Sequence, residues 1–329
     1  MKLEKLAPAF QDYLWGGTKL RDVYGKRCDF DKVAESWELS THPAGESTLA
    51  GGERDGLPLG QYFQQFPQAL GKNAAAFESF PVLIKLIDAK EPLSIQVHPS
   101  DEYALRVEGE YGKTEMWVIV DCDPGAFLYF GVNRPVSKEE FRQRIENNTV
   151  LEVLNKVEVH PGDVFFIQSG TIHAIGAGIC EIQQNSNCTY RVYDYDRRGA
   201  DGKPRPLHID KALDACTLEP SDTASHLGPL LSCAGGTAQK LGECAYFSTQ
   251  KLRVEEALTL EAGEESFLSL VCVEGGGLLC GPENTLEFTA GESLLVPAGT
   301  GKVSLRGDCT VIQRAGAGVK TDTDKEDLP

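Results

Sequence analysis

The 329-residue sequence has no basic excess, no long hydrophobic run and no closely spaced cysteine pair, and each lack removes a class of function. Only 32 Lys and Arg stand against 49 Asp and Glu, a net charge of −17. That excludes a nucleic-acid partner, because neutralising phosphates needs a basic face. A small anionic ligand stays open, provided a local group of cations overrides the acidic field. The apolar stretches are strand-sized, as in Pro81 to Leu86, far from the roughly 18 apolar residues of a membrane span. Glu4 and Lys5 break the region where a secretory leader would be apolar, so no exported or membrane class is expected. The ten cysteines contain no C-x-x-C, which removes the zinc ribbon and the thioredoxin-like motif. They read as reduced thiols of a cytoplasmic protein.

With 41% hydrophobic residues, the chain has apolar material for two cores. Residues 1–80 are mixed, with Gly-Gly breaks and a helical piece interrupted at Pro67. From Pro81 to Ala215 short β-type segments follow one another: PVLIKLIDA, LSIQVHP, EMWVIVDC, AFLYFGV, DVFFIQ, ICEIQQ and CTYRVYDYD. Asp123-Pro124-Gly125 and Pro161-Gly162-Asp163 are turn signals between them. Ser137 to Asn155 is the exception, where Ser137 and Glu140 spell a helix start and Phe141 and Ile145 give helical spacing. Strand-like segments resume from Cys244 to Arg314 after a polar stretch.

One pattern occurs twice. Gly162-x5-Gln168-x-Gly170-x-x-His173 and Gly291-x5-Pro297-x-Gly299-x-x-Lys302 share their spacing, each with an apolar strand after the first glycine. This resembles the second motif of the cupin superfamily, in which a tight turn aims a histidine into a small barrel. The resemblance implies a mainly β fold of two cupin-like (jelly-roll) β-barrels, with a small helical insertion in the N-terminal half.

Imidazole nitrogen and carboxylate oxygen are the donors that zinc and related metals take. Gln96 and His98 lie two apart in SIQVHPSD and share a face if that segment is extended. Glu115 and His173 complete a set of two histidines, a carboxylate and an amide oxygen, leaving room for water or substrate. His160 reads as a turn residue and His226 as solvated, while His42 is open between packing and a pocket rim. Lys302 stands where His173 stands in the first repeat, so the C-terminal barrel is expected to hold no metal.

PLSIQVHPSD, GKTEMW, GTIHAIGAG and QQNSNCTYRVYDYDRRG, in that order, resemble the short bacterial form of type I mannose-6-phosphate isomerase. The resemblance implies interconversion of mannose 6-phosphate and fructose 6-phosphate through a cis-enediol, with one zinc ion per chain on Gln96, His98, Glu115 and His173. Lys113 and Arg191 match family positions lining the site: Arg191 to hold phosphate or stabilise an enediolate, Lys113 to shuttle a proton or stabilise charge. Ser94, on the Gln96 and His98 face, is a candidate substrate contact. Two departures stand out. Larger members carry H-K-P-E where this chain has Gly112-Lys113-Thr114-Glu115, and an acid where it has Asn187. Trp15 and Trp37-Glu38 match N-terminal strings and read as buried or as pocket wall.

The expected domains are then 1–220, a metal-binding catalytic cupin with a capping segment; 221–240, a linker; 241–315, a metal-free cupin-like domain; and 316–329, an acidic tail without fixed structure. A small-molecule sugar phosphate is the expected partner, with no nucleic acid and no membrane. Two rivals remain. Two histidines and a carboxylate also suit an Fe(II)-dependent cupin dioxygenase, which leaves Gln96, Lys113 and Arg191 without a task. The neutral Asn187 suits a non-catalytic sugar-phosphate-binding cupin.

Overall fold

The computed structural model describes residues 1–176, 178–198, 202–224 and 226–315. The expected acidic tail at 316–329 lies outside the described residues. The chain is mainly β, with short helices between the strands. Among the described residues no helix is long and apolar enough to cross a membrane.

Two compact units form, and their boundaries correct the expected division. One unit contains Met1–Asp12, Thr18–Leu86 and the chain from His226 onward; the other contains Tyr13–Gly17 and Ile87–Ser225. The strand Glu4–Ala7 pairs with both Ser293–Val296 and Thr48–Ala50, so ladder hydrogen bonds tie the first residues to the C-terminal sheet. The stretch read as a linker contains the strand Leu230–Cys233 and the start of Gly236–Glu243, paired as a hairpin. Its composition concealed this because an exposed edge strand tolerates polar residues.

In the first unit the longest ladder joins Leu268–Cys280 to Gly301–Ala315. Leu252, Val254, Leu270, Val296, Val303 and Val311 pack as one core along it. The helix Leu59–Gln65 stops where expected: Phe66, ahead of Pro67, leaves the helical region at φ −128° and ψ 64°.

In the second unit a five-stranded sheet runs in the order Tyr190–Tyr193, Ile95–Val97, His173–Ala174, Phe127–Val132 and Leu154–Glu158. Glu115–Asp121 lies between Val164–Ile167 and Gly178–Gln184. The helix Lys138–Glu146 begins at Ser137, whose hydroxyl accepts from the Glu140 N–H at 3.1 Å. Glu140 does not return that bond but pairs with Arg144 and Arg134. Phe141 and Ile145 of this helix pack with Ile95, Val97, Tyr190 and Val192. Each such burial contributes about 1.5–3 kcal/mol and braces the strands that carry the site.

Both copies of the repeated motif fold alike. Gly162, Gly170, Gly291 and Gly299 all take positive φ, between 75° and 98°, which glycine adopts without strain. The strands Val164–Ile167 and Ser293–Val296 follow the first glycine of each copy. The sheets run as open paths and none closes by hydrogen bonding.

Candidate metal centre

Three strands from distant parts of the chain set out one rung of the site. Gln96 is register partner to both His173 and Arg191 on its two neighbouring strands. Directly opposed residues share a sheet face, so Arg191, Gln96 and His173 stand side by side, each strand step adding about 4.8 Å. Alternation along the chain puts Ser94 and His98 beside Gln96, while Ile95 and Val97 turn to the core.

His98, Glu115 and His173 offer donor atoms that all lie within 4.8 Å of one another, and all three are buried. His173 Nε2 is 3.3 Å from Glu115 Oε1, and His98 Nε2 is 3.6 Å from Glu115 Oε2. Each imidazole is oriented through its other nitrogen. His173 Nδ1 meets the Thr171 carbonyl at 2.9 Å, and His98 Nδ1 meets the Cys188 carbonyl at 2.9 Å. Such bonds fix the tautomer and aim the Nε2 lone pair inward, as metal-binding imidazoles require. The tight turn ahead of His173 also holds the other histidine's segment, since Gly170 N–H donates to the His98 carbonyl at 2.8 Å. Burial, with Lys113 nearby, pushes His173 down to about 4, so it stays neutral and able to donate its lone pair. Trp117 stands edge-on to the His173 ring at 5.2 Å. The Gln96 amide lies 3.4 Å from His173 Nε2; facing a cation, the same amide presents its oxygen. This donor set fits a borderline divalent metal, and the group could hold one.

Lys113 enters the same space. Its ammonium hydrogen-bonds Glu115, lies 3.1 Å from His98 Nε2 and 3.7 Å from Glu181 Oε1. Glu181 is the residue that sequence reasoning missed. It is buried, accepts from Trp117 Nε1 at 2.9 Å and pairs in register with Trp117, next to the Glu115–Gln183 pair. Its one signal was an acid inside the apolar strand ICEIQQ, where burial of a carboxylate demands a partner.

The two departures from the family pattern have structural readings. A Cβ at Gly112 would lie 2.5 Å from backbone atoms of both Ser100 and Asp101, so no histidine fits there on this backbone. Gly112→Ala is accordingly expected to lose about 1–3 kcal/mol of stability, seen as a lower urea midpoint; an unchanged midpoint would show that the Ser100 turn yields freely. Asn187 is exposed, and its N–H donates to Glu110 Oε1 at 2.6 Å.

Arg191 Nε donates to Ser94 Oγ at 3.3 Å, and Nη1 to the Pro206 carbonyl at 3.1 Å. It does not pair with Asp194, whose carboxylate instead takes Arg205 and Arg197. Burial, then the charges of Arg205 and Arg197, push Arg191 below the usual guanidinium range. Of the other candidates, His160 is an exposed turn residue whose N–H donates to Asp163, and His226 is exposed. Trp15 and Trp37 are both buried. His42 packs edge-on to Trp37 at 5.8 Å. Lys302, in the second repeat, is exposed on Gly301–Ala315.

A mainly β chain with a buried His–Glu–His group that could hold a metal ion, an arginine in the same rung and a cupin domain toward its C-terminus defines the class. Within it, residues 3–116 match the phosphomannose isomerase type I catalytic domain, and residues 237–314 the mannose-6-phosphate isomerase cupin domain. The chain is 38% identical to mannose-6-phosphate isomerase ManA of Bacillus subtilis, covering 92% of this chain and 96% of that protein. It is 35% identical to mannose-6-phosphate isomerase of Streptococcus mutans, covering 91% and 93%. A crystal structure of the Bacillus subtilis mannose 6-phosphate isomerase superposes with a TM-score of 0.88 at 36% identity, covering 95% of this chain and 99% of that one. The chain belongs to the type I mannose-6-phosphate isomerase family and is an isomerase.

Proposed function

We propose that the protein interconverts mannose 6-phosphate and fructose 6-phosphate by moving a proton between C1 and C2 through a cis-enediol, with one zinc ion held by Gln96, His98, Glu115 and His173. The observation that carries this reading is the meeting of His98, Glu115 and His173 at one buried centre, with Gln96 and Arg191 in the rung of His173. When bound, zinc supplies Lewis acidity toward the sugar's carbonyl oxygen.

The remaining work falls to this chain's own side chains. Ser94 accepts from Arg191 Nε and so turns the guanidinium, which presents a planar fork to the phosphate or to the enediolate oxygen. Asp194 pairs with Arg197 and Arg205 and leaves Arg191 without a paired carboxylate among the described residues, a local excess of positive charge suited to a phosphate in a chain of net charge −17. With Gly112 and Asn187 unable to titrate, Lys113 and Glu181 are the acid–base pair beside the metal donors. The proton leaving C2 passes to that pair and returns at C1. In this reading each repeat anchors a cupin-like barrel. The second holds no metal because Lys302 replaces the histidine, and the protein works in the cytoplasm on a free sugar phosphate.

A coupled assay of fructose 6-phosphate formation on metal-quantified protein tests the reading. Zinc-loaded protein without turnover would leave a sugar-phosphate-binding cupin, and oxygen uptake with Fe²⁺ would make it a dioxygenase. Arg191→Lys is expected to keep the fold and lower kcat/KM about 10–100-fold, the worth of one charge-assisted hydrogen bond. Unchanged kinetics would take Arg191 out of the site.

A further inference from the structure

The sheet of the first unit buries a cation that no carboxylate among the described residues pairs with. Arg314, 1% exposed, lies over the Phe267 ring at 4.5 Å and donates through Nη2 to the Tyr246 carbonyl at 2.8 Å. Its Nε and Nη1 have no hydrogen-bond partner among the described residues. Thr249 and Ser269 are its register partners on the two flanking strands, so all three side chains share one face. Thr249 is 1% and Ser269 0% exposed, and both hydroxyl oxygens also lack a partner among the described residues.

Four buried polar atoms therefore stand in one rung. The surroundings are apolar: Phe267 stacks with Phe80 and tilts against Phe63. Among the described residues no carboxylate pairs with Arg314. The nearby Cys244 thiol is pushed up by burial and so brings no negative charge, while burial pushes Arg314 itself down to about 9. A buried guanidinium without a counter-ion is strongly unfavourable. Water brings no charge and has two lone pairs to accept four N–H and O–H groups. A small monovalent anion accepts from all four and cancels the charge.

We propose that Arg314, Thr249 and Ser269 form an internal halide site, chloride-sized, in the unit that does not carry the metal centre. The full chain is unfolded by urea in chloride and in gluconate at matched ionic strength. Chloride is expected to raise the midpoint, with each tenfold rise above its Kd lowering the unfolding constant about tenfold. A crystal soaked in bromide is expected to show an anomalous peak beside the Arg314 guanidinium. Arg314→Met should lose the chloride-specific increment. Arg253→Met, which removes an arginine paired with Asp308, should keep it. Ser269→Ala and Thr249→Val, which leave the charge in place, should weaken the chloride dependence. Equal midpoints in chloride and gluconate, or ordered water and no bromide at Arg314, would overturn the proposal.

Discussion

Replacing His173 by alanine is expected to abolish metal retention and isomerisation together. His173 is fully buried, within reach of Glu115, and its Nδ1 is braced by the Thr171 carbonyl. Losing a mere outer partner of a metal ligand costs about 10–100-fold in affinity or activity, and removing one of three clustered donors must exceed that. Metal content after dialysis, measured beside the coupled assay, checks it. A full complement of tightly held zinc in the variant would break the assigned donor set.

The second large effect is expected at Lys113. Glu115 and Glu181 are 0% and 2% exposed, and Lys113 lies between them. Lys113→Met leaves two buried carboxylates without their common cation, which destabilises the metal-free protein by about 3–5 kcal/mol. Added zinc should restore part of this, because the ion supplies positive charge beside Glu115. Turnover of the zinc-saturated variant should fall about 10²–10⁴-fold, the usual worth of a positioned acid–base group. Urea unfolding with and without zinc reads the first effect, and kcat at saturating zinc the second. A zinc-saturated kcat equal to that of the parent would place proton transfer elsewhere.

Much of the site was legible because its parts are local. Gln96 and His98 sit two apart on a strand, and the Gly162 to His173 spacing encodes a turn whose glycines need positive φ. Ser137 and Glu140 marked the start of the helix Lys138–Glu146 for the same reason. Glu181 was not legible, since its meaning lies in lying across from Trp117 and near Lys113. Arg191 was expected to contact the substrate, with the acid Asp194 only three residues away. The structure gives Asp194 to Arg197 and Arg205 instead.

The amino-acid order alone determined the donor types, the duplicated turn and the family, because spacing along one strand or turn is a short-range property that side-chain alternation translates directly into direction. Only the folded chain decided that Arg191, Gln96 and His173 form one rung, that Glu181 partners Lys113, and that Glu4–Ala7 joins the sheet containing Ser293–Val296. Those outcomes depend on the register between strands far apart in sequence, and a shift of one residue would send each side chain to the opposite face.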